Sequence, residues 1–368
     1  MRYFVTCAAH LEPYLEKEIH QLGYTKTSLG FRGIFVDADI KAMYVLNYYL
    51  RFATRVLMPL KSIKVYQAQD LYQESLNFPW ENYISPSQTF SIDAAIHHKE
   101  FKSSLYGIQL IKDAICDRLR KKTGQRPNVE TKDPDIQIHC YLDDKIGVLS
   151  IDTSNPPLFK RGWRTDSVEA PLQETLAAVM CKIANVEKAH MICDPCCGSG
   201  TIAIEAALQK LSIPSGFYRP HFGFQNFKDY NPELFEEAKT LHGMHKTPFQ
   251  CIAFDKDPEA IKSAEANIKH ASLESYIKLK RIDLASNFID EKIDLIITNP
   301  PFGKRLKVQS NFFHDLHRFL TRLKSKPEIF ILLEHEQLKS PLPFNILENH
   351  PLASGGLKLN FIKVEPKL

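Results

Sequence analysis

Apolar side chains recur through the first 153 residues in short segments that alternate between strand-like and helix-like spacing. Over residues 1–60 the spacing predicts strand, helix, strand and helix at Tyr3–Cys7, His10–Gln21, Gly33–Val36 and Ile40–Leu50. Over residues 61–153 it predicts a strand at Thr89–Ala95, a helix at Phe101–Arg120 and a hairpin of Ile136–Tyr141 and Lys145–Ile151. The stripe of that helix is expected to face the core: Leu105, Ile108, Ile111, Ile115 and Leu119.

Beyond residue 190 the pattern changes to apolar strands separated by amphipathic helices. Strands are predicted at 190–194, 250–255, 276–282, 293–298, 328–333 and 357–364, with helices at 200–211, 257–271 and 309–324. This alternation predicts a mostly parallel sheet with helices on both faces, which binds ligands beyond the carboxyl ends of its strands. Residues 154–170, rich in Pro and Arg, are interpreted as a linker before a helix at Leu172–Ile183, and residues 212–248 as an insertion.

The segment 191–205 predicts a strand, a glycine-rich turn and a helix. The apolar run ends at Asp194, and Gly198 and Gly200 lie in the turn that follows. Such a turn presents free backbone N–H groups and a helix N-terminus to a ligand, and its small residues permit close approach. The third glycine of a pyrophosphate-binding turn is missing, which disfavours a nicotinamide oxidoreductase.

Acidic residues stand at the ends of three successive predicted strands. Asp194 is suited to hold a cationic amine or to order the turn, Asp255 to accept ribose hydroxyls, and Asp283 to accept an adenine amino proton. Any one of these acids has a simpler interpretation as a cap of the next helix. A fourth acid, Asp257 before Pro258, is interpreted as such a cap. Together with the turn, the three acids indicate a nucleoside ligand without a pyrophosphate, which fits S-adenosylmethionine.

The strand at 293–298 leads into Asn299-Pro300-Pro301-Phe302. The two prolines fix the backbone of this exit, so the Asn299 side-chain oxygen and the Pro300 carbonyl are expected to converge. Two converging acceptors suit a planar exocyclic amine, and Phe302 offers a face on which an extruded base can stack. The simpler alternative is a proline-rich strand exit with no chemistry.

Charge is concentrated in the front half of the chain. The 368 residues carry a net charge of only +4, but residues 99–132 hold nine Lys or Arg against four acids. This segment is either a solvated helix C-terminus or a surface for a phosphate backbone. The eight scattered cysteines, the lack of a signal-like start and the lack of a long apolar run predict a reduced, cytoplasmic protein without membrane or metal.

These motifs together resemble a known enzyme family. Asp194-Pro195-x-Cys197-Gly198-Ser199-Gly200-Thr201 and Asn299-Pro300-Pro301-Phe302-Gly303 resemble class I methyltransferases of exocyclic amines. Ile151-Asp152-Thr153-Ser154, Lys160-Arg161-Gly162-Trp163-Arg164 and the helix after Ala170 resemble the THUMP-domain RNA guanine-N2 methyltransferases, and most of all the bacterial 23S rRNA group. Phe302 stands where Tyr is commoner, and Phe227 where Trp is frequent. Some relatives carry a second methyltransferase domain, which this chain is expected to lack.

The resemblance implies a fold, a site and a substrate. It implies a ferredoxin-like domain at 1–65, a THUMP RNA-binding domain at 66–153, the linker 154–170 and a Rossmann-like class I methyltransferase domain at 171–368, with a mostly parallel seven-stranded sheet. S-adenosylmethionine would be bound by Pro171, Leu172, Thr175, Asp194, Gly198, Gly200, Asp255, Asp283 and Asn299. The catalytic residues would be Asn299, Pro300, Pro301 and Phe302. The alternatives are tRNA as substrate, adenine N6 as acceptor, or a non-catalytic RNA-binding assembly factor.

Overall fold

The computed structural model describes residues 1–167, 171–243, 248–285, 289–300 and 309–367, with side chains from 312 onward in the last range. Its strands are β1 (Arg2–Thr6), β2 (Thr27–Gly30), β3 (Gly33–Asp37), β4 (Arg55–Lys64), β5 (Thr89–His97), β6 (Asn128–Val129), β7 (Ile136–Asp143), β8 (Ile146–Asp152), β9 (Met191–Asp194), β10 (Gln250–Asp255), β11 (Ile277–Arg281), β12 (Leu295–Thr298), β13 (Glu328–Glu334), β14 (Phe344–Ser354) and β15 (Leu357–Pro366). Its α-helices are α1 (Glu12–Gln21), α2 (Ile40–Tyr49), α3 (Ala68–Leu76), α4 (Ser104–Thr123), α5 (Glu174–Ile183), α6 (Thr201–Lys210), α7 (Pro232–Lys239), α8 (Pro258–His270) and α9 (Gln309–Thr321).

The front half of the chain forms one continuous sheet, in the order β2-β3-β1-β4-β8-β7-β5-β6. β4 connects its two parts. The first residues of β4, Arg55–Leu57, pair antiparallel with β1, and Leu57–Lys64 pair antiparallel with β8. The two small α+β units are therefore hydrogen-bonded to each other through a shared strand.

The back half forms a second sheet, in the order β11-β10-β9-β12-β13-β15-β14. The strands from β11 to β13 are parallel, and β15 and β14 are antiparallel. This confirms the prediction of a mostly parallel seven-stranded sheet. From β9 the chain continues to β10 on one side and reaches β12 on the other, so the topological switch point lies between β9 and β12.

β4, α3 and β14 are elements that the sequence pattern did not predict. β4 contains Pro59, and its register with β8 shifts between Pro59 and Lys61, which breaks the alternation. α3 buries only Leu71 and Ser75, so it lacks an apolar stripe. β14 is an edge strand that contains Pro351 and is exposed along most of its length.

The stripe predicted for α4 is wrong at its first position. Leu105 is 62% exposed, whereas Ile111, Ile115 and Leu119 are buried. The helix contacts the sheet closely at Gly107, where an added Cβ would lie 2.2 Å from Ile96. Because successive helical residues are 100° apart, Leu105 points away from the face that contains Gly107.

The connector at 154–164 is packed against both halves of the molecule. The side chains of Arg161 and Trp163 are fully buried in it. Arg219 donates hydrogen bonds to four carbonyl groups of this segment, those of Ser154, Pro156, Pro157 and Lys160, at 2.7–2.9 Å. Burial lowers the pKa of Arg219 to about 10, and the carbonyl dipoles take the place of water around its charge.

A buried ionic network ties the first helix to the back half. The Glu18 carboxylate accepts hydrogen bonds from the N–H groups of Arg51 and Phe52, and burial raises its pKa to about 7. Arg161 donates to the Arg51 carbonyl at 2.5 Å and to Glu205 of α6 at 3.3 Å. Removing one member would leave its partner charged and buried, which is strongly destabilising.

The described part of the insertion at 212–248 forms part of the same interface. Phe235 of α7 lies 5.7 Å from Tyr44 and 6.1 Å from Tyr48 of α2, measured between ring centroids. Phe224 lies 4.9 Å from Tyr44 at an interplanar angle of 79°. Edge-to-face contacts of this kind add to the burial of apolar area. The insertion thus attaches the back half to the front half.

Gly162 is the position where the connector tolerates a side chain least. It has φ +93°, and an added Cβ would lie 2.2 Å from the carbonyl oxygen of Tyr218. We expect Gly162→Ala to lower the free energy of unfolding by about 3 kcal/mol, because it combines backbone strain with a backbone clash. Urea titration followed by circular dichroism measures this change.

Gly124→Ala is the matched control. Gly124 has φ +75°, but nothing lies within 4 Å of an added Cβ. The cost there is the conformational strain alone, about 1–2 kcal/mol. Equal destabilisation by the two variants would contradict the close packing of the connector.

Candidate functional site

The turn between β9 and α6 has the backbone conformation that its glycines favour. Gly198 has φ 52° and Gly200 has φ 84°, both in the left-handed region. An added Cβ at Gly200 would lie 3.4 Å from the Cβ of Ala264 in α8. α6 follows directly, so its first N–H groups point towards the carboxyl edge of the sheet.

Asp194 ends β9 and is fully buried. One carboxylate oxygen, Oδ1, accepts a hydrogen bond from the N–H of Cys196 at 3.3 Å. The other, Oδ2, is buried without a hydrogen-bond partner among the described residues. Burial is the main reason that the pKa of Asp194 rises to about 8, and the nearby Asp255 raises it further. A buried carboxylate with a free acceptor is the arrangement expected where a cationic or N–H-bearing ligand binds.

The second acid holds the turn in place. Asp255 ends β10, and its Oδ2 accepts a hydrogen bond from the N–H of Gly198 at 3.0 Å. Its Oδ1 accepts from the N–H of Asp257 at 3.0 Å, and Asp257 itself caps α8 by accepting from the N–H of Glu259. Asp255 is half-buried, which leaves its remaining lone pairs accessible from the edge.

The third acid lies further out. Asp283 is exposed two residues beyond β11, and its Oδ1 accepts a hydrogen bond from the N–H of Ala285 at 3.1 Å. The parallel register of β10 with β11 pairs Asp255 with Arg281. Asp255 and Asp283 therefore lie at the same edge, on the β10–β11 side of Asp194.

Asn299 follows β12 on the opposite side of Asp194. Its side-chain oxygen is buried and has no hydrogen-bond partner among the described residues, and Pro300 is buried next to it. Leu295 and Ile296 pair with Ile192 and Cys193 of β9. This register brings the ends of β9 and β12, and with them two unpartnered acceptors, to the switch point. Pro301 and Phe302 lie outside the described residues.

Arg164 is a positioning residue that sequence reasoning did not single out. Its guanidinium donates to Glu174 at 2.7 Å, to the Ser199 hydroxyl at 2.7 Å and to the Thr201 hydroxyl at 2.9 Å. It thereby ties the connector to the start of α5 and to the glycine turn. The sequence feature that could have indicated this role is the position of Arg164 next to Trp163. In the structure its guanidinium carbon lies over the Trp163 ring, 4.8 Å from the centroid.

Asn267 of α8 supports the same turn from the other side. It is fully buried and donates to the carbonyl groups of Ser199 at 3.0 Å and Asp166 at 2.9 Å. Its oxygen accepts from the N–H groups of Thr165 and Asp166. A single amide thus satisfies backbone groups of the turn and of the connector.

The remaining predicted site residues lie at the start of α5. Pro171 is exposed, Leu172 is half-buried and Thr175 is buried in the first turn of the helix. The carbonyl of Leu172 accepts a hydrogen bond from Arg164 at 3.4 Å. Arg164 therefore connects this group of residues to the turn that holds Gly198 and Gly200.

The cysteines near the turn are thiols rather than thiolates. Burial raises the pKa of Cys193, Cys196 and Cys197 well above the ordinary range. Within the described residues, no three His, Cys, Asp or Glu side chains are grouped as metal ligands. No helix in the described part of the chain is both long and apolar enough to cross a membrane.

Comparison with known families assigns a domain to each part of the chain. Residues 161–342 match the RMKL-like methyltransferase domain. Residues 65–152 match the THUMP domain, and residues 2–57 match the RlmL ferredoxin-like domain. The class I methyltransferase fold and the two α+β domains expected from the sequence are thereby confirmed.

Individual relatives agree with these matches. The ribosomal RNA large subunit methyltransferase K/L of Psychromonas ingrahamii is 35% identical over 83% of this chain, and the match covers 42% of that protein. This chain thus spans less than half the length of that relative. A putative RNA methyltransferase of Synechocystis is 29% identical over 99% of this chain and 96% of that protein.

A solved structure shares the whole fold. The putative methyltransferase SMU.472, crystallised in complex with SAH, superposes with a TM-score of 0.83 at 24% identity, covering 100% of this chain and 98% of that one. The fold of the whole chain, from the front sheet to the second sheet, therefore occurs in a known protein. The chain belongs to the family of methyltransferases in which an RlmL ferredoxin-like domain and a THUMP domain precede an RMKL-like methyltransferase domain.

Proposed function

We propose that this chain is an S-adenosylmethionine-dependent RNA methyltransferase that modifies N2 of guanine in large-subunit ribosomal RNA. The observation that carries the proposal is the buried, unpartnered side-chain oxygen of Asn299, beside the end of β9 and its unpartnered Asp194 oxygen. Two ligands that each carry an amine, bound together at the switch point, would supply the donors that these two acceptors lack. The K/L relatives support ribosomal RNA over tRNA.

The residues present fit S-adenosylmethionine. Asp194 offers a buried carboxylate to the methionine ammonium, Asp255 offers free lone pairs to ribose hydroxyls, and Asp283 offers an acceptor to the adenine amine. The close approach that Gly198 and Gly200 permit leaves room for the ligand backbone. The remaining proposed contacts come from the start of α5 and from β12: Pro171, Leu172, Thr175 and Asn299. When bound, this cofactor supplies an activated methyl group on a sulfonium.

The acceptor amine is oriented by the loop after β12. The Asn299 oxygen and the Pro300 carbonyl would accept the two amine hydrogens, which would leave the nitrogen lone pair free for the activated methyl group that the cofactor supplies. The guanine amine is a weak nucleophile, and these acceptors stabilise the positive charge that develops on its nitrogen. Phe302 is proposed to stack on the base. No strong general base is required, since the methylated ammonium is acidic.

RNA is proposed to bind along the front sheet, in particular at the basic segment 99–132. Several of its cations have structural partners, the clearest being Arg118, whose paired hydrogen bonds to Glu81 lower the pKa of that carboxyl to about 2. Five lysines of the segment are exposed and form no ion pair with the described residues: Lys99, Lys102, Lys121, Lys122 and Lys132. These lysines are free to contact phosphates.

The proposed roles of the domains follow the expected domain bounds. Residues 1–65 and 66–153 would capture the RNA, residues 171–368 would transfer the methyl group, and residues 154–170 would connect them. The connector contributes Arg164 to the transferase side and is held by Arg219.

Asn299→Ala is expected to lower kcat for methyl transfer to large-subunit rRNA by about 10²- to 10³-fold, because the amine loses its acceptor in the transition state. Transfer of tritiated methyl groups measures kcat, and calorimetry measures cofactor affinity. The affinity for RNA should stay within about twofold, as measured by filter binding. Turnover at the wild-type rate would contradict the role given to Asn299.

Asp194→Asn is expected to have opposite effects on stability and binding. Because the folded-state pKa is raised to about 8, burying the carboxylate becomes more costly as the pH rises from about 4 to about 8, and the amide removes that cost. The variant should therefore melt a few degrees higher than wild type at pH 9, with no gain at pH 4. It should also bind S-adenosylmethionine at least about tenfold more weakly at pH 9, where wild-type Asp194 is ionised. A variant that keeps full cofactor affinity at that pH would refute the ammonium contact.

The double substitution of Lys121→Glu and Lys122→Glu is expected to weaken binding of large-subunit rRNA about tenfold at 0.1 M salt. It should also reduce the salt dependence of binding. kcat at saturating RNA should not change. The matched control is Lys188→Glu with Lys326→Glu, since both residues are exposed near the amino edge of the second sheet. Equal losses of RNA affinity in the two double variants would contradict a contact at Lys121 and Lys122, because the change in net charge alone would then explain the loss.

A further inference from the structure

A groove of about 390 Å³ opens between the connector and the turn that joins β14 to β15. Its lining consists of Phe159, Lys160 and Arg164 from the connector, residues 171–174 at and just before the start of α5, and Ser354 and Gly355 from the turn. Pro171 and Leu172 are also proposed cofactor contacts, so the groove adjoins the cofactor site. No role has been given above to Phe159, to the side chain of Lys160 or to this turn.

The groove lies on the acceptor side of the site. β13 ends at Glu334, which pairs with Leu359 near the start of β15, so the turn at 354–355 stands at the carboxyl edge of the sheet. Strand order places this turn on the side of β12, whereas Asp255 and Asp283 lie on the side of β10 and β11. A ligand in the groove would therefore lie on the side of β12 and Asn299 rather than on the side of the nucleoside-binding acids.

Phe159 is an aromatic side chain without an aromatic partner. It is half-buried, yet it belongs to none of the hydrophobic clusters of the described residues. It forms no ring pair with any described aromatic side chain, although the neighbouring connector residue Trp163 is fully buried. A half-buried ring that lines a groove and has no aromatic partner among the described residues is suited to stack on a base.

The charge of the groove favours a phosphate. Lys160, in the lining, is exposed and forms no ion pair with the described residues. Lys358 lies outside the lining, just after the turn, and is also exposed without an ion pair to the described residues. Glu174 is the acid in the lining, and its carboxylate is paired with Arg164. Gly355 and Gly356 have positive φ and nothing within 4 Å of an added Cβ, so the turn presents bare backbone to the groove.

We propose that this groove binds a nucleotide of the single-stranded RNA next to the target guanosine, with its base stacked on Phe159 and its phosphate contacted by Lys160. The inference rests on the proposed function, because it identifies the strand path into that site. It adds a subsite that holds the flanking nucleotide, so Phe159 and Lys160 act on the KM for RNA and not on the methyl-transfer step.

Steady-state methylation of large-subunit rRNA by the full chain tests this assignment. Phe159→Ala and Phe159→Leu should each raise the KM for RNA about 5- to 50-fold with kcat within about twofold, because stacking needs an aromatic face. Phe159→Tyr should restore the KM to near the wild-type value. A structural role would instead make Leu the better replacement, and a loss of kcat with unchanged KM would also overturn the subsite.

Lys160→Glu should raise the KM for RNA about tenfold and reduce its salt dependence by about one phosphate contact. Lys326→Glu is the matched control: it makes the same charge change at an exposed site before β13, at the amino edge. The KM of this control should stay within about twofold of wild type. Equal changes in the two variants would overturn the phosphate contact.

Photocross-linking separates failure of the subsite from failure of the proposed function. A single-stranded oligoribonucleotide that carries 4-thiouridine should cross-link to the peptide containing Phe159 and Lys160, as identified by mass spectrometry, whether or not methyl transfer occurs. Cross-links at this peptide with no methylation would overturn the proposed reaction and keep the groove. Methylation with cross-links only elsewhere would overturn the groove and keep the reaction.

Discussion

The structure depends on a connector that is held by buried cations. Residues 154–164 contact both halves of the molecule, and Arg219 donates hydrogen bonds to four of their carbonyl groups. The carbonyls of Ser154 and Pro157 also accept from the N–H groups of Gly223 and Lys160, whereas those of Pro156 and Lys160 depend on Arg219 among the described residues. Arg161 adds a contact to the Arg51 carbonyl and an ion pair with Glu205. Because buried carbonyls and charges are costly when unpaired, these contacts leave the connector a single favourable path.

That path determines how the site is assembled. The same segment that is held by Arg219 delivers Arg164 to Glu174, Ser199 and Thr201, and so fixes the start of α5 against the glycine turn. The front sheet is fixed to the same segment through Arg51, and the aromatic contacts of α7 with α2 fix it to the back half a second time. The front sheet and the carboxyl edge of the second sheet are therefore held at a set spacing, which suits the proposed function, in which one part captures a large RNA and another modifies one base.

The sequence predicted the features that local pattern determines. Asp194 and Asn299 follow apolar strands, and Gly198 and Gly200 mark a turn that needs positive φ, so they could be located from neighbouring residues alone. The role of Arg164 could not be found in that way, because two of its partners, Ser199 and Thr201, lie 35 and 37 residues further along the chain.

The elements that were missed share a physical cause. β14 lies at a sheet edge, and α3 buries few side chains, so neither carries a strong apolar period. The shared strand β4 was missed because its bulge at Pro59 interrupts the alternation. As a result, the continuity of the front sheet was not visible in the sequence.

The central claim is that the amine which receives the methyl group is N2 of guanine in large-subunit rRNA. Mass spectrometry of nucleosides from fractionated RNA, compared between cells with and without this gene, tests it most directly. The account predicts that N2-methylguanosine decreases in large-subunit rRNA of the deletion strain and returns when the wild-type gene is restored. Unchanged N2-methylguanosine in that RNA, or a loss confined to tRNA or to N6-methyladenosine, would contradict it.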